Sequence, residues 1–304
     1  MKIPPGLQAV GGSKQVCRLY KSLYGLKQSP RAWFEQFTKS SSSGMMRVKS
    51  CDSRNFWPPN SKPKTWAFSV PKPAPSLTKT DFQRIVGKFI YLSLTRPDIA
   101  FSVNVLSQHM SDPNEEHMAA AYRVLRYLKQ TPEHGLLFKK SSDRSIKVFT
   151  YSSWAGSLTD RRSTTGYCTF LWGNLVTWRS KKQPVVSRSS AEAEFQALAQ
   201  GICEGLWLLK VLREVDPNSA DYFELLSDNN SAIQIDKNPV QHDRTKHVEI
   251  DRHFITEKVQ KGTAKLFYIP SDGQLADVLT KALQKPAFDS FKCKLGIYNV
   301  YTPA

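Results

Sequence analysis

One helical run sets the frame for the whole chain. From about Ala191 to Arg213, Phe195, Leu198, Ile202, Leu206 and Leu209 recur at helical spacing. This predicts a long helix with a single apolar face, which needs a second layer to cover it. Short β-patterned runs surround it. Upstream lie a strand over Ile146 to Tyr151 and two more, Gly166–Trp172 and Leu175–Trp178, around a Gly173-Asn174 turn. Downstream come a strand (Tyr222–Ser227), a short helix near Ser231–Ile235, a helical stretch from about Val248 to Val259, a strand (Lys265–Ile269) and a helix (Gln274–Leu283). A three-strand meander followed by this alternation predicts a mixed α/β sheet flanked by helices, not a doubly wound one.

Two further apolar stripes precede the sheet: Phe82, Ile85, Phe89, Leu92, and then Ala121, Val124, Leu125, Leu128 after His117. They predict packing helices. Residues 40–80 lose all periodicity. They carry SSSGMM and then Pro58, Pro59, Pro63, Pro71, Pro73 and Pro75, which reads as a disordered linker. Before it, residues 14–39 are aromatic and basic, with Pro30 opening a helix through Phe37 and Trp33 inside it.

Charge divides along the same line. Residues 1–80 hold 14 Lys and Arg against two acids, while residues 81–304 hold 29 against 24. A basic arm on a nearly balanced body favours a polyanion through counterion release, and a solvated tail is the alternative. No apolar run reaches the roughly 18 residues of a membrane span. The opening MKIPPGLQAVGG has no signal-peptide core, so an intracellular chain, in cytoplasm or nucleus, is expected. Five cysteines without a closely spaced pair argue against a disulfide framework and a zinc knuckle.

Three acids suit a metal site in this layout. Glu194 lies early in the long helix, Asp228 directly follows a strand, and Asp277 lies in the first turn of the last helix. Strand ends and helix starts let carboxylates from distant positions converge on a divalent cation. Solvated acids, with Asp277 favoured by the helix dipole, are the plainer alternative. Ser189-Ser190-Ala191-Glu192 is a capping box, predicting that Glu192 returns to the Ser189 N–H and leaves Glu194 free.

Arg179, Lys181, Lys182 and Arg188 cluster beside Trp178 and Gln183. Such cations position a phosphate backbone, while Asn230, Gln183 and Ser163 are candidates for sugar hydroxyls. A solvated basic loop is the alternative. His242, His247 and His253 match no common zinc spacing, and His253 is expected to pack on the sheet. Trp172, Trp178 and Trp207 are expected in or near the core.

Long phrases now carry a resemblance. DRRSTTGYCTF, WRSKKQPVV, SSAEAEFQAL, DNNSAI, KNPVQHDRTKHVEIDRHFI and LADVLTKAL resemble the ribonuclease H domain of copia-type LTR retrotransposon Pol polyproteins. GKFIYLSLTRPDIAFSVNVLSQHM and HMAAAYRVLRYLKQTPEHGLLF resemble that family's connection between polymerase and ribonuclease H. SLYGLKQSPRAWF resembles part of its reverse transcriptase. The resemblance covers roughly 14–39 and 77–304. It implies a reverse transcriptase fragment (1–39), a linker (40–80), a helical connection (81–143), a ribonuclease H-like domain (144–283) and a tail (284–304). The implied fold class is α/β, a ribonuclease H-like mixed five-stranded sheet.

The family implies hydrolysis of RNA in RNA–DNA hybrids by four carboxylates and two Mg2+ (or Mn2+) ions. Its glutamate matches Glu194, and its second and last aspartates match Asp228 and Asp277. A histidine bordering the site, assisting product release or proton transfer, matches His247. The first aspartate falls in a phrase that reads here Thr150-Tyr151-Ser152-Ser153-Trp154-Ala155-Gly156, so Tyr151 replaces it and Ser153 replaces its neighbour. Cations about 4 Å apart need a bridging carboxylate between them. A tyrosine, neutral near pH 7 with an ordinary pKa of about 10, supplies neither charge nor second oxygen. Asp143 and Asp160 lie too far along the chain to substitute. The expectation is one weakly held Mg2+ at best and very little nuclease activity, with a catalytically dead hybrid-binding module or a vestigial fragment as alternatives. Polymerase activity is not expected, because no Asp-Asp dipeptide occurs and 40–80 is too short for a palm.

Overall fold

The computed structural model describes residues 46–47, 78–157, 159–216, 219–233 and 246–299. The readings made for 14–39 and for nearly all of the linker lie outside these residues, apart from the two-residue strand β1 (Met46–Arg47). From residue 78 onward every described element belongs to one compact unit.

Three helices come first. Helix α1 (Lys79–Leu92) starts two residues before the expected Asp81, because Thr78 caps it and Asp81 returns to the Thr78 N–H. A 3-10 turn (Pro97–Ile99) leads into α2 (Ala100–Ser107), and α3 (Glu115–Gln130) follows. At the start of α3, Asn114 Oδ1 accepts from the His117 N–H at 2.9 Å and His117 Nδ1 accepts from the Asn114 N–H at 3.0 Å. The helices bury Phe82, Val86, Phe89, Ile99, Val103, Leu106, Met118, Ala121 and Val124 together. Ile85, Leu92, Leu125 and Leu128, expected on the packing faces, sit at the edge of this cluster. Beneath it, the buried Arg96 guanidinium grips Asp98 through Nε and Nη2, and Tyr127 donates to the same carboxylate at 2.7 Å.

After β2 (His134–Phe138) comes the main sheet: β3 (Ile146–Ser153), β4 (Thr164–Leu171), β5 (Asn174–Lys182), β6 (Phe223–Ser227) and β7 (Ala264–Tyr268). Their order is β5-β4-β3-β6-β7. The first three strands form an antiparallel meander. Strand β6 runs parallel to β3 with Val148 opposite Leu225, and β7 runs parallel to β6 with Leu225 opposite Leu266. This is the mixed five-stranded sheet with flanking helices that the resemblance implied. The turn between β4 and β5 is one residue earlier than expected. Trp172 and Gly173 carry positive φ values of 54° and 75°, and Asn174 already belongs to β5. The Arg144 guanidinium stacks 4.5 Å from the Trp172 ring.

The long helix is α4 (Ser190–Val215), and its buried face differs from the expected stripe. Ala193, Ala197, Leu198, Gly201, Ile202, Gly205, Leu208, Leu209 and Leu212 point inward, while Phe195 and Leu206 are only half-buried. Small residues face the strands because the backbones meet closely. A Cβ on Gly201 would collide with Thr150 Cγ2, and one on Gly205 would lie 2.7 Å from the Phe223 ring. Trp207 turns outward at 44% exposure, against expectation, and His253 is likewise exposed, 3.8 Å from Glu249.

The other face of β4 is covered by a 3-10 turn (Leu275–Leu279), with a shorter one (Ser271–Gly273) before it. The helix expected over 274–283 is therefore not α-helical. All five residues of the turn are buried, and the buried Gln274 pins its start, with Nε2 donating to the Thr150 carbonyl at 3.0 Å and Oε1 accepting from the Ala276 N–H at 3.2 Å. Between β6 and β7 lie α5 (Asn230–Ile233) and α6 (Lys246–Gln260). Residues 284–304, expected as a tail, carry helix α7 (Lys285–Lys294) and strand β8 (Ile297–Asn299). Strand β8 pairs antiparallel with β2, Ile297 opposite Leu136, and both residues are buried. Among the described residues no helix is long and apolar enough to cross a membrane.

Candidate functional site

The parallel pair β3 and β6 points both carboxyl ends the same way, and the acids gather there. Tyr151 lies two residues before the end of β3, and Asp228 follows the last residue of β6. Glu194 enters from the first turns of α4 and Asp277 from the 3-10 turn across the sheet. Electrostatic coupling links Glu194 to both Asp228 and Asp277, and Asp277 to Asp228.

Glu194 is 3% exposed. Its Oε1 accepts from the Ser152 N–H at 2.7 Å, and its Oε2 is buried with no partner. Burial pushes this carboxyl up to about 8, the two aspartates push the same way, and the Ser152 N–H opposes them. The Asp277 carboxyl is also raised, mainly by burial, while Lys281 pulls against that shift. Lys281 Nζ lies 2.8 Å from Asp277 Oδ2, whereas Oδ1 is buried and unpartnered. The same ammonium stands 4.7 Å from the centroid of the Tyr151 ring. Burial raises the Tyr151 hydroxyl above its ordinary value. Asp228 is half-exposed and accepts from Ser271 Oγ at 3.1 Å.

Two inward-facing, unpartnered carboxylate oxygens are what a cation would satisfy. They are not joined by a complete donor set. Among the described residues no three His, Cys, Asp or Glu side chains come close enough to hold a metal ion. The Tyr151 ring lies beside the Lys281 ammonium, and that protein cation already holds Asp277. The acids flanking β3 do not substitute: Asp143 binds the Ser145 N–H and Lys147, and Asp160 binds Lys182. The assembled residues therefore do not fit the expected metal pair.

Glu192 also departs from expectation. Ser189 Oγ accepts from the Glu192 N–H at 3.1 Å, but the Glu192 carboxylate accepts from the Arg188 N–H at 2.6 Å, one residue upstream of the expected donor. Glu194 is left to the pocket in either arrangement.

The expected nucleic-acid residues scatter. On the pleat of β5, Arg179 and Lys181 share one face and Lys182 takes the other. Arg179, Lys181 and Arg188 are exposed, while Lys182 is held by Asp160 at 2.9 Å and Ser157 at 3.1 Å. Gln183 (2% exposed) and Ser163 (0%) are interior. Gln183 Nε2 donates to Ser152, Thr165 and Ala193, and Ser163 Oγ accepts from the Ala155 N–H, so neither is available to a sugar. Asn230 is exposed at the start of α5. The His247 backbone lies in α6, and its side chain falls outside the described residues, as does His242. Sequence reasoning missed Lys281, although its spacing of four from Asp277 is an ion-pair signal, and missed Gln274, which carries no local signal.

No protein-family model matches the chain. The retrovirus-related Pol polyprotein from transposon RE1 of Arabidopsis thaliana is 42% identical over 73% of this chain and 15% of that protein. The corresponding polyprotein from transposon TNT 1-94 of Nicotiana tabacum is 28% identical over 98% of this chain and 29% of its own length. The chain thus spans a minor part of these relatives. Among solved structures, RNase H1 of Halobacterium salinarum NRC-1 is 14% identical, covering 48% of this chain and 98% of that one with a TM-score of 0.33.

Proposed function

The chain belongs to the copia-type, retrovirus-related Pol polyproteins of transposons, and within that family we propose a ribonuclease H-like module that has lost hydrolysis and retains binding to RNA–DNA hybrids. One observation carries the reading. The position of the family's bridging aspartate is Tyr151, whose ring lies under the Lys281 ammonium. Without that carboxylate nothing holds two like-charged metal ions together, so neither the attacking water nor the departing oxygen gains the stabilisation that hydrolysis requires.

Binding makes smaller demands. The exposed cations Arg179, Lys181 and Arg188 offer phosphate contacts, and Asn230 offers an amide. The net charge of +17 adds a long-range attraction that falls with salt. The orphaned oxygens of Glu194 and Asp277 favour a second reading, a weak residual nuclease with Asp228 as a further ligand. No polymerase role is proposed, since the chain has no Asp-Asp pair.

The test is cleavage of a labelled RNA–DNA hybrid in Mg2+ and in Mn2+, with anisotropy binding over a salt series. Wild type should bind with salt dependence and leave the RNA strand intact, while Tyr151→Asp should cut. Cutting by wild type that Asp228→Asn abolishes would establish the residual nuclease instead. An absence of salt-dependent binding, with cooperative melting retained, would remove the binding role.

A further inference from the structure

We infer that Lys281 is a tethered cation built into the carboxylate pocket, positioned between Asp277 and Tyr151 where it competes with a divalent ion for the acids. The inference rests on the reading above only in taking Glu194, Asp228 and Asp277 as the former hydrolytic pocket.

The backbone that carries the pair is fixed. Asp277 and Lys281 are four residues apart, and the Lys281 N–H donates to the Asp277 carbonyl at 3.2 Å. The buried Thr280 adds a hydroxyl bond to the same carbonyl at 3.1 Å. At this i, i+4 spacing the ammonium reaches Asp277 Oδ2 at 2.8 Å, and the Asp277 side chain it meets is only 7% exposed. Partial desolvation strengthens such a pair relative to one in open water. On its other side the ammonium faces the Tyr151 ring at 4.7 Å, and the negative face of an aromatic ring attracts a cation.

Tyr151 and Lys281 thus act as a matched pair. An ammonium over a ring is held by one charge and one quadrupole, with no carboxylate there to recruit a second cation. A divalent ion approaching Asp277 must displace the ammonium or endure its repulsion. Removing the bridging acid and keeping the lysine both favour a metal-free pocket. Lys281 is assigned no contact with substrate or reacting atoms. It is a positioning residue, and its effect is read in metal affinity.

The test uses the full chain and Mn2+ alone, with free Mn2+ measured by electron paramagnetic resonance near neutral pH. Lys281→Gln should bind at least about tenfold more tightly than wild type. The gain should vanish in Lys281→Gln/Asp277→Asn, and Lys281→Arg should behave as wild type. An unchanged affinity in Lys281→Gln, or a gain that survives Asp277→Asn, overturns the inference. Thermal melting in chelator checks that each variant folds; where Lys281→Gln does not, Lys281→Met carries the comparison.

A measurement on the unmutated chain stands beside these. Saturating Mn2+ should accelerate acylation of the Lys281 amine, located by peptide mapping, as the ion displaces it from Asp277. An unchanged rate counts against displacement. None of these readouts involves nucleic acid or cleavage. Hybrid cutting by wild type would overturn the proposed function and leave the Lys281 result standing, and the reverse failure is equally separable.

Discussion

The indole Nε1–H of Trp178 on strand β5 donates to the backbone carbonyl of Ser93, the residue that closes helix α1, at 2.9 Å. This bond ties the helical segment to the edge strand of the sheet across 85 residues of chain. A half-buried indole with a satisfied N–H contributes both area and one net hydrogen bond. Trp178→Phe keeps most of the area and loses the bond. Urea denaturation should show a loss of about 1 to 2 kcal/mol with an unchanged slope. A lower slope, or two separate transitions, would show that the helices and sheet no longer unfold together.

Gln183 is the polar hinge of the interior beneath the pocket. Its Nε2 reaches Ser152 Oγ at 3.2 Å, Thr165 Oγ1 at 2.9 Å and the Ala193 carbonyl at 2.9 Å, and its Oε1 accepts from Ser187 Oγ at 3.0 Å. Truncation leaves several buried groups without partners. Gln183→Ala should cost about 2 to 4 kcal/mol in equilibrium unfolding. A cost below about 0.5 kcal/mol, typical of a surface change, would mean that the network is not formed.

Two helical glycines should respond with opposite signs. At Gly201 an added methyl would drive into Thr150 and crowd Val148 and Leu225 at 3.3 Å, so Gly201→Ala should destabilise by about 1 to 3 kcal/mol. At Gly87, in the middle of α1, nothing lies within 4 Å of an added Cβ. Gly87→Ala should therefore stabilise by up to about 1 kcal/mol through helix propensity alone. Paired thermal melts decide the matter, and equal signs would refute the close approach of α4 to the sheet.

Glu194 makes stability pH-dependent in the metal-free protein. Its folded pKa of about 8 lies above the ordinary carboxylate value, so the folded state holds the proton more tightly than the unfolded one. That contribution is complete below the ordinary value and is lost as pH rises through about 8. Glu194→Gln imitates the protonated form, and its Oε1 can still accept from the Ser152 N–H. In chelator the Tm of the variant, relative to wild type, should climb between about pH 5 and pH 9. A constant difference across that range would mean that Glu194 is ionised throughout.

Much of this architecture was legible in the residues. The strand runs, the long helix and the order of elements follow from local spacing, because period and propensity act within a few residues. The tyrosine at residue 151, on which the proposed loss of hydrolysis rests, was also visible in one phrase. Other features were not. The inward face of α4 is set by how closely its glycines and alanines meet β3 and β6, so Phe195 and Leu206 lose the places that their hydrophobicity suggested. The turn at Leu275–Leu279 has helix-compatible composition, but burial on all sides and the Gln274 anchor hold it as a 3-10 turn.

By itself the sequence determined the α/β class, the run of elements, the basic balance and the presence of a tyrosine at residue 151, since each of these is a property of residues close in the chain or of their sum. Tertiary structure alone decided that Gln183 and Ser163 turn inward, that residues 285–299 close a small sheet with β2, and that Lys281 stands between Asp277 and Tyr151. Those outcomes depend on contacts between distant segments, and a contact across the sheet leaves no periodic trace in either segment that makes it.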